Sequence, residues 1–247
     1  PVGLIDPTRR CPSKPDGVQA MKPDNKGRCP LTTALALNCT LKPSPETSNT
    51  AALLGIVLDE LSSLGVQTEQ IRVCDYNIPF GVQSEMGDGD EWPQILDRIR
   101  AANILIIGTP IWLGHKASVT QMVLERMDAL LSETNDKGQL PLYNKVAGVV
   151  VTGNEDGAHA CAESILFNLT HLGATVPPNV DCYWLGKAGP GPSFLDADGE
   201  HHEYTRKAAL YTANNLAWFA RLLEREPIGT DLNELNERAR QAAQVAG

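Results

Sequence analysis

The chain has 247 residues, enough for one α/β domain with extensions and a sizeable buried core. Its formal charge of -9 excludes a surface built to neutralise nucleic-acid phosphates or to lie on an anionic membrane. No uninterrupted apolar run nears the roughly 20 residues that span a bilayer, and the Pro-, Arg- and Cys-containing start has no apolar signal core, so a cytoplasmic protein is expected.

Residues 1–31 are rich in proline and poor in apolar periodicity, which reads as an extended N-terminal arm. From Thr33 the pattern changes: Thr33 to Cys39 is an apolar, strand-length run ending in polar turn residues. A helix follows, with Ala52, Leu53, Ile56, Val57, Leu61 and Leu64 on its apolar positions. The same alternation predicts strands near 66–74, 103–109, 145–152 and 175–185, and helices over 91–101, 117–132, 158–172 and 203–224. Ile104 to Ile107 and Val146 to Val151 are apolar on successive residues, as central strands covered on both faces must be.

Strands alternating with helices at this spacing imply a three-layer α/β sandwich around a five-stranded parallel sheet of order 2-1-3-4-5. Ligands in such sheets bind at the carboxyl ends of the strands. Residues 186–202 form a Gly/Pro-rich, acidic excursion within a core of 32–226. An amphipathic stretch at 231–245 lies in a helical tail, 227–247, and is expected to pack as an extra helix or to reach a neighbour.

Six cysteines, Cys11, Cys29, Cys39, Cys74, Cys161 and Cys182, are scattered with no CxxC pair, so neither a zinc site nor an iron–sulfur cluster has the spacing it needs. Cys39, Cys74, Cys161 and Cys182 read as small buried hydrophobes, and Cys11 and Cys29 could pair. His115, His171, His201 and His202 show no ligand spacing to one another or to carboxylates, and no metal is expected; His159, just inside the helix after the last of the strand-end loops, reads as a ligand contact or as a surface or cap residue. The glycosylation sequons at Asn38 and Asn168 fall in a strand end and a helix, which makes both chance matches.

Three loops at strand ends carry the chemistry. The first, Asn38 to Thr50, combines hydroxyls, Lys42 and the free amides of the next helix start, a composition suited to a phosphate monoester, or to a plain N-cap at Ser48 or Asn49. It lacks the glycines of a dinucleotide fingerprint and the GxxxxGK[ST] signature of a P-loop. The second, Gly108 to Ser118, brings Pro110, Ile111, Trp112, Leu113 and Gly114 to a strand edge, where they can wall a planar ring. There Trp112 could equally cap the core, with Ser118 as the next N-cap. The third, Thr152 to Gly157, has glycines that permit close approach of backbone to a ligand or simply make a turn.

Taken together these loops resemble the NADPH-dependent FMN reductase family, whose branch includes flavodoxin-like quinone reductases and iron–sulfur flavoproteins. The family's strand, Ser-x-Arg and Ser/Gly-Asn-Thr are met by Thr40, Lys42, Ser48, Asn49 and Thr50, with Lys in place of Arg and a longer loop. Its Thr/Ser-Pro-aromatic/apolar-x-x-Gly-x-x-Ser is met by Thr109, Pro110, Ile111, Trp112, Gly114 and Ser118. The likeness covers roughly 33–185, including Asp75 to Pro79. Phe80 and Gly81 stand where the iron–sulfur branch has its cysteines, so that branch is not expected.

The resemblance implies a flavodoxin-like fold with the FMN phosphate on Thr40, Lys42, Ser48, Asn49 and Thr50. It places the isoalloxazine against Pro110, Ile111, Trp112, Leu113 and Gly114, and against Thr152, Gly153, Asn154, Asp156 and Gly157. It implies hydride passing from NAD(P)H to FMN and on to a quinone, flavin or similar acceptor. The flavin carries that chemistry, so no catalytic side chain is named. A homodimer or homotetramer is implied. The alternative is a flavodoxin-type electron carrier with no substrate of its own, against which the arm, excursion and tail beyond a five-stranded core argue.

Overall fold

The computed structural model describes residues 31–245 apart from Pro190. The expected arm therefore lies almost wholly outside the described residues, as do Cys11 and Cys29. Five strands form one parallel sheet: β1 (Thr33–Asn38), β2 (Gln67–Arg72), β3 (Ile104–Trp112), β5 (Val146–Gly153) and β6 (Asp181–Leu185), in the order β2-β1-β3-β5-β6. That is the flavodoxin-like order expected from the alternation of strands and helices. A short sixth strand, β4 (His115–Lys116), folds back antiparallel on the end of β3.

Alternate residues of the central strands feed two cores, because side chains a pleat apart point to opposite faces. Leu105, Ile107, Ala147, Val149 and Val151 pack under α2 (Trp92–Ala101), α3 (Ser118–Met127) and α4 (Ala158–His171). Ala34, Ala36, Ile104, Ile106, Val146 and Val150 pack under α1 (Asn49–Ser63) and α5 (Glu203–Arg225). Burying each Leu, Ile or Val stabilises by about 1.5–3 kcal/mol before conformational entropy is set against it. Gly108 of β3 sits where α1 crosses: a Cβ there would lie 2.5 Å from Leu54 and 3.0 Å from Thr50. Only a glycine lets the start of α1 come that close.

Several expected boundaries shift for identifiable reasons. Thr175 makes only an isolated bridge to Val146, and Pro177 and Pro178 break the run, so the last strand is 181–185 rather than 175–185. The helix expected over 117–132 ends at Met127 and continues as a 3-10 turn, Asp128–Ser132. The loop expected from Gly108 is strand as far as Trp112.

The expected helix after Pro227 is present as α6 (Leu232–Val245). Asn38 is fully buried and Asn168 is bonded within α4 to Ser164, in keeping with chance sequons.

One structural anchor left no mark in the sequence. Arg126 is fully buried and ion-paired with the buried Asp90 (2.6 Å). Its guanidinium also donates to the carbonyls of Pro79 (2.8 Å), Gln83 (3.1 Å) and Ser84 (3.4 Å) and lies 5.6 Å from the Trp92 ring centre. One side chain thereby organises the whole 79–90 loop against α3.

Candidate functional site

The three loops leave neighbouring strands at matched heights. Asn38 pairs with Gly108 across β1 and β3, and Pro110 pairs with Thr152 across β3 and β5. Their carboxyl ends therefore open on one edge of the sheet.

The first loop is tied at its base and its flank. Asn38 Nδ2 donates to Ser48 Oγ (3.3 Å), and Asn38 Oδ1 accepts from the Thr40 amide (3.2 Å). Ser48 caps α1, its Oγ accepting from the Ala51 amide (3.1 Å), which bears out the N-cap reading of that residue. Arg72, at the end of β2, donates to the carbonyls of Glu46 (2.7 Å) and Lys42 (3.3 Å), and Asp75 accepts from the amide and the hydroxyl of Ser44 (2.8 and 2.6 Å). These two Ser44 bonds hold the Asp75 carboxyl below the usual carboxylate range. Arg72 was not among the residues singled out in the sequence; its only signal was a cation at the end of the neighbouring strand.

The five residues expected at a phosphate divide into two groups. Ser48, Asn49 and Thr50 spend their side chains on the fold: Ser48 on the cap, Asn49 Oδ1 on the Leu195 amide (2.9 Å), and Thr50 on a 2.8 Å hydroxyl contact with Thr152. Thr40 is buried, and its Oγ1 accepts from the Lys42 amide (3.3 Å). Lys42 is exposed and forms no ion pair among the described residues. The amides of Thr47, Ser48, Asn49 and Thr50 meet no acceptor among the described residues. Unpaired helix-start amides, with the exposed Lys42 in the same loop, are a donor set that fits a phosphate dianion.

The second and third loops interlock. Thr109 is buried and its Oγ1 accepts from the Ala117 amide (3.0 Å) and from Thr120 (2.8 Å), so it, with Ala117 as N-cap, organises the start of α3. Ser118, read as a possible N-cap, is instead the first helical residue. The turn between β3 and β4 puts Leu113 at φ 51° and Gly114 at φ 77°. The Leu113 amide donates to Glu155 Oε1 (2.9 Å), a member of the third loop that was not among the expected ring contacts.

Gly157, at φ 126°, packs on Gly114 so tightly that a Cβ would fall 2.5 Å from the Gly114 carbonyl oxygen. Trp112 and Leu113 project from this turn 55% and 89% exposed, so Trp112 does not cap the core as its other reading had it. Pro110 is half-buried and Ile111 buried, with Ile111 filling the space over Gly153. Asp156 closes its own turn on the Gly157 amide (2.7 Å).

The 186–202 excursion returns to the same edge. Asn154 Nδ2 donates to the Gly191 carbonyl (2.7 Å), and the Gly186 amide donates to Gly153 (2.8 Å). Phe194 is buried beside Trp184 at 5.5 Å between ring centres. The excursion thus backs the third loop and, through Leu195, the first.

None of the thiols among the described residues is set up as a nucleophile. Burial pushes Cys39 and Cys182 up to about 12, and burial with the neighbouring Asp75 charge raises Cys74. Cys74 departs from the buried reading: it is half-exposed and donates to the Lys42 carbonyl (3.2 Å). His159 is exposed and meets the edge of Tyr183 (5.1 Å). Among the described residues no cluster of His, Cys, Asp or Glu could hold a metal ion.

The model of one family, NADPH-dependent FMN reductase, matches residues 32–186. The chain belongs to the NADPH-dependent FMN reductase family. Its oxidoreductase fold is that of FMN-binding flavoproteins. The chain is 40% identical over 217 residues to the 8-demethyl-8-aminoriboflavin-5'-phosphate synthase of Streptomyces davaonensis, a match covering 84% of each protein. A crystal structure of RosB with the bound intermediate 8-demethyl-8-formylriboflavin-5'-phosphate superposes with a TM-score of 0.78 at 40% identity, covering 85% of this chain and 87% of that one. An iron–sulfur flavoprotein of Archaeoglobus fulgidus is 27% identical over 131 residues, half of this chain and 63% of that protein.

Proposed function

We propose that this family member binds FMN across the three loops and uses it to pass hydride from NAD(P)H to a small-molecule acceptor such as a quinone or a second flavin. One observation carries the reading: unpaired α1 amides and Lys42 form an anion site on the same sheet edge as the interlocked Leu113–Glu155 and Gly114–Gly157 turns. Bound FMN would supply a ring that accepts and returns hydride. The chain's own residues bind and orient it. The helix-start amides and Lys42 neutralise the phosphate, and the backbone of 110–114 and 152–157 walls the ring. Trp112 and Leu113 stay exposed on the turn that would wall the ring.

The Streptomyces relative favours a second reading, in which the flavin phosphate is itself the substrate and leaves altered. One experiment separates the two. The FMN-loaded protein is mixed anaerobically with NADH or NADPH while flavin absorbance is followed, and the flavin is then extracted and weighed by mass spectrometry after turnover. Rapid bleaching with unchanged flavin mass supports the reductase. A new flavin mass, formed in a parallel aerobic incubation with an amino donor in place of the nicotinamide, supports the second reading. No uptake of FMN at all overturns both.

A further inference from the structure

The first loop offers unpaired amides to an anion, but it also carries carbonyl oxygens that would repel a phosphate if they faced it. Residues at the end of β2 take up these competing groups. Arg72 Nη1 donates to the carbonyls of Glu46 (2.7 Å) and Lys42 (3.3 Å), and Cys74 Sγ donates to the same Lys42 carbonyl (3.2 Å). Asp75 accepts from the Ser44 amide (2.8 Å), and the Pro43 carbonyl accepts from the Glu46 amide (2.9 Å). The amides of Thr47 to Thr50 are then the ones that meet no acceptor among the described residues.

The bond from Arg72 to Glu46 reaches further than its own two atoms. The Glu46 carbonyl and the Thr47 amide belong to one peptide unit, and that unit is trans. In a trans peptide the C=O and the N–H point in opposite directions. A guanidinium that grips the oxygen from the β2 side therefore turns the Thr47 N–H away from β2. In the order β2-β1-β3-β5 that direction is the side on which the second and third loops stand. A cation on the oxygen also polarises the unit and makes its N–H a stronger donor, since hydrogen bonds in a chain reinforce one another. Arg72 is half-buried and forms no ion pair among the described residues, so no carboxylate draws the guanidinium off the loop.

We propose that Arg72 is a positioning residue of the anion site, acting through the Glu46–Thr47 peptide to aim and strengthen the Thr47 amide without touching the phosphate. The inference rests on the FMN reading above and adds to it a residue from the neighbouring strand.

Arg72→Met is expected to weaken FMN binding about tenfold in fluorescence titrations, while riboflavin binding stays as in the parent chain. Arg72→Lys, whose ammonium group still reaches a loop carbonyl, is expected to recover most of that loss. Nitrogen-15 NMR reads the route of the effect. Adding FMN to the parent chain is expected to move the Thr47 amide proton downfield and to leave the Arg72 guanidinium signals in place, and the Thr47 shift is expected to shrink in Arg72→Met. The parent spectrum keeps the test valid where a variant fails to fold, which circular dichroism checks. Unchanged FMN affinity in folded Arg72→Met, equal losses of FMN and riboflavin, no recovery in Arg72→Lys, or guanidinium signals that move while Thr47 stays would each overturn the proposal. A parent chain that takes up no FMN defeats the FMN reading itself, a result distinct from FMN uptake that is indifferent to Arg72.

Discussion

Thr50 Oγ1 and Thr152 Oγ1 lie 2.8 Å apart, both buried, although 102 residues separate them. The contact joins the first turn of α1 to the end of β5, and so fixes the distance between the anion site and the third loop. Replacing one partner leaves a buried hydroxyl unsatisfied, which costs about 1–3 kcal/mol, whereas replacing both with valine is nearly neutral. Thr50→Val and Thr152→Val are each expected to lower the urea midpoint, and the double variant to recover most of the loss. Additive losses in this cycle would show that the hydroxyls do not interact.

Arg126 and Asp90 make the same kind of statement with charge. Burial by itself raises the Asp90 carboxyl, but the bonds from Arg126, Trp92 and Met86 outweigh it and leave its pKa lowered. A carboxyl lowered by folding adds stability that is present above its unfolded value near 3.9 and is lost as pH falls through the folded value. Thermal stability is therefore expected to hold from neutral pH to about 4 and to drop below it. Arg126→Met, which strands the buried carboxylate, is expected to cost about 3–5 kcal/mol in chemical denaturation. It should also make the 79–90 segment a site of early proteolytic cutting.

Lys42 tests the anion site without touching the fold. It is exposed and makes no ion pair among the described residues, so Lys42→Ala should leave the melting temperature unchanged. FMN affinity is expected to fall about fivefold, in line with roughly 1 kcal/mol for one exposed charge contact, while riboflavin affinity stays the same. Equal losses for both ligands in fluorescence titrations would move the phosphate elsewhere.

Glu155 holds the Leu113 amide in a turn whose backbone a leucine adopts unwillingly. Glu155→Ala frees that turn. Flavin affinity is expected to fall about tenfold, given about 1.5 kcal/mol for a charge-assisted bond, with riboflavin and FMN affected alike. Isothermal titration with both ligands separates this pattern from that of Lys42.

The packing limit at Gly108 gives a purely steric test. A β-branched residue there meets Leu54 and Thr50 at less than contact distance, and overpacking of this kind costs about 1–3 kcal/mol or more. Gly108→Val is expected to lower stability and FMN affinity together, because it pushes the start of α1 off β3. Unchanged affinity in a destabilised but folded variant would argue against α1 as the phosphate end.

The sequence by itself determined the layer order, because continuous apolar runs such as Ile104–Ile107 and Val146–Val151 have no other stable setting than strands covered on both sides. It also determined which three loops share an edge, since strands that all run parallel put every carboxyl end on the same side. What each polar side chain does there was decided only in three dimensions. Asn49 and Thr50 match a phosphate motif in the sequence, yet Asn49 holds Leu195 and Thr50 holds Thr152, partners 146 and 102 residues away. Arg72, Glu155 and the Arg126–Asp90 pair left no local pattern at all, for a hydrogen bond or ion pair between distant residues has no period along the chain. Periodicity records which face a residue turns to the core; only the closed fold decides which group it meets there.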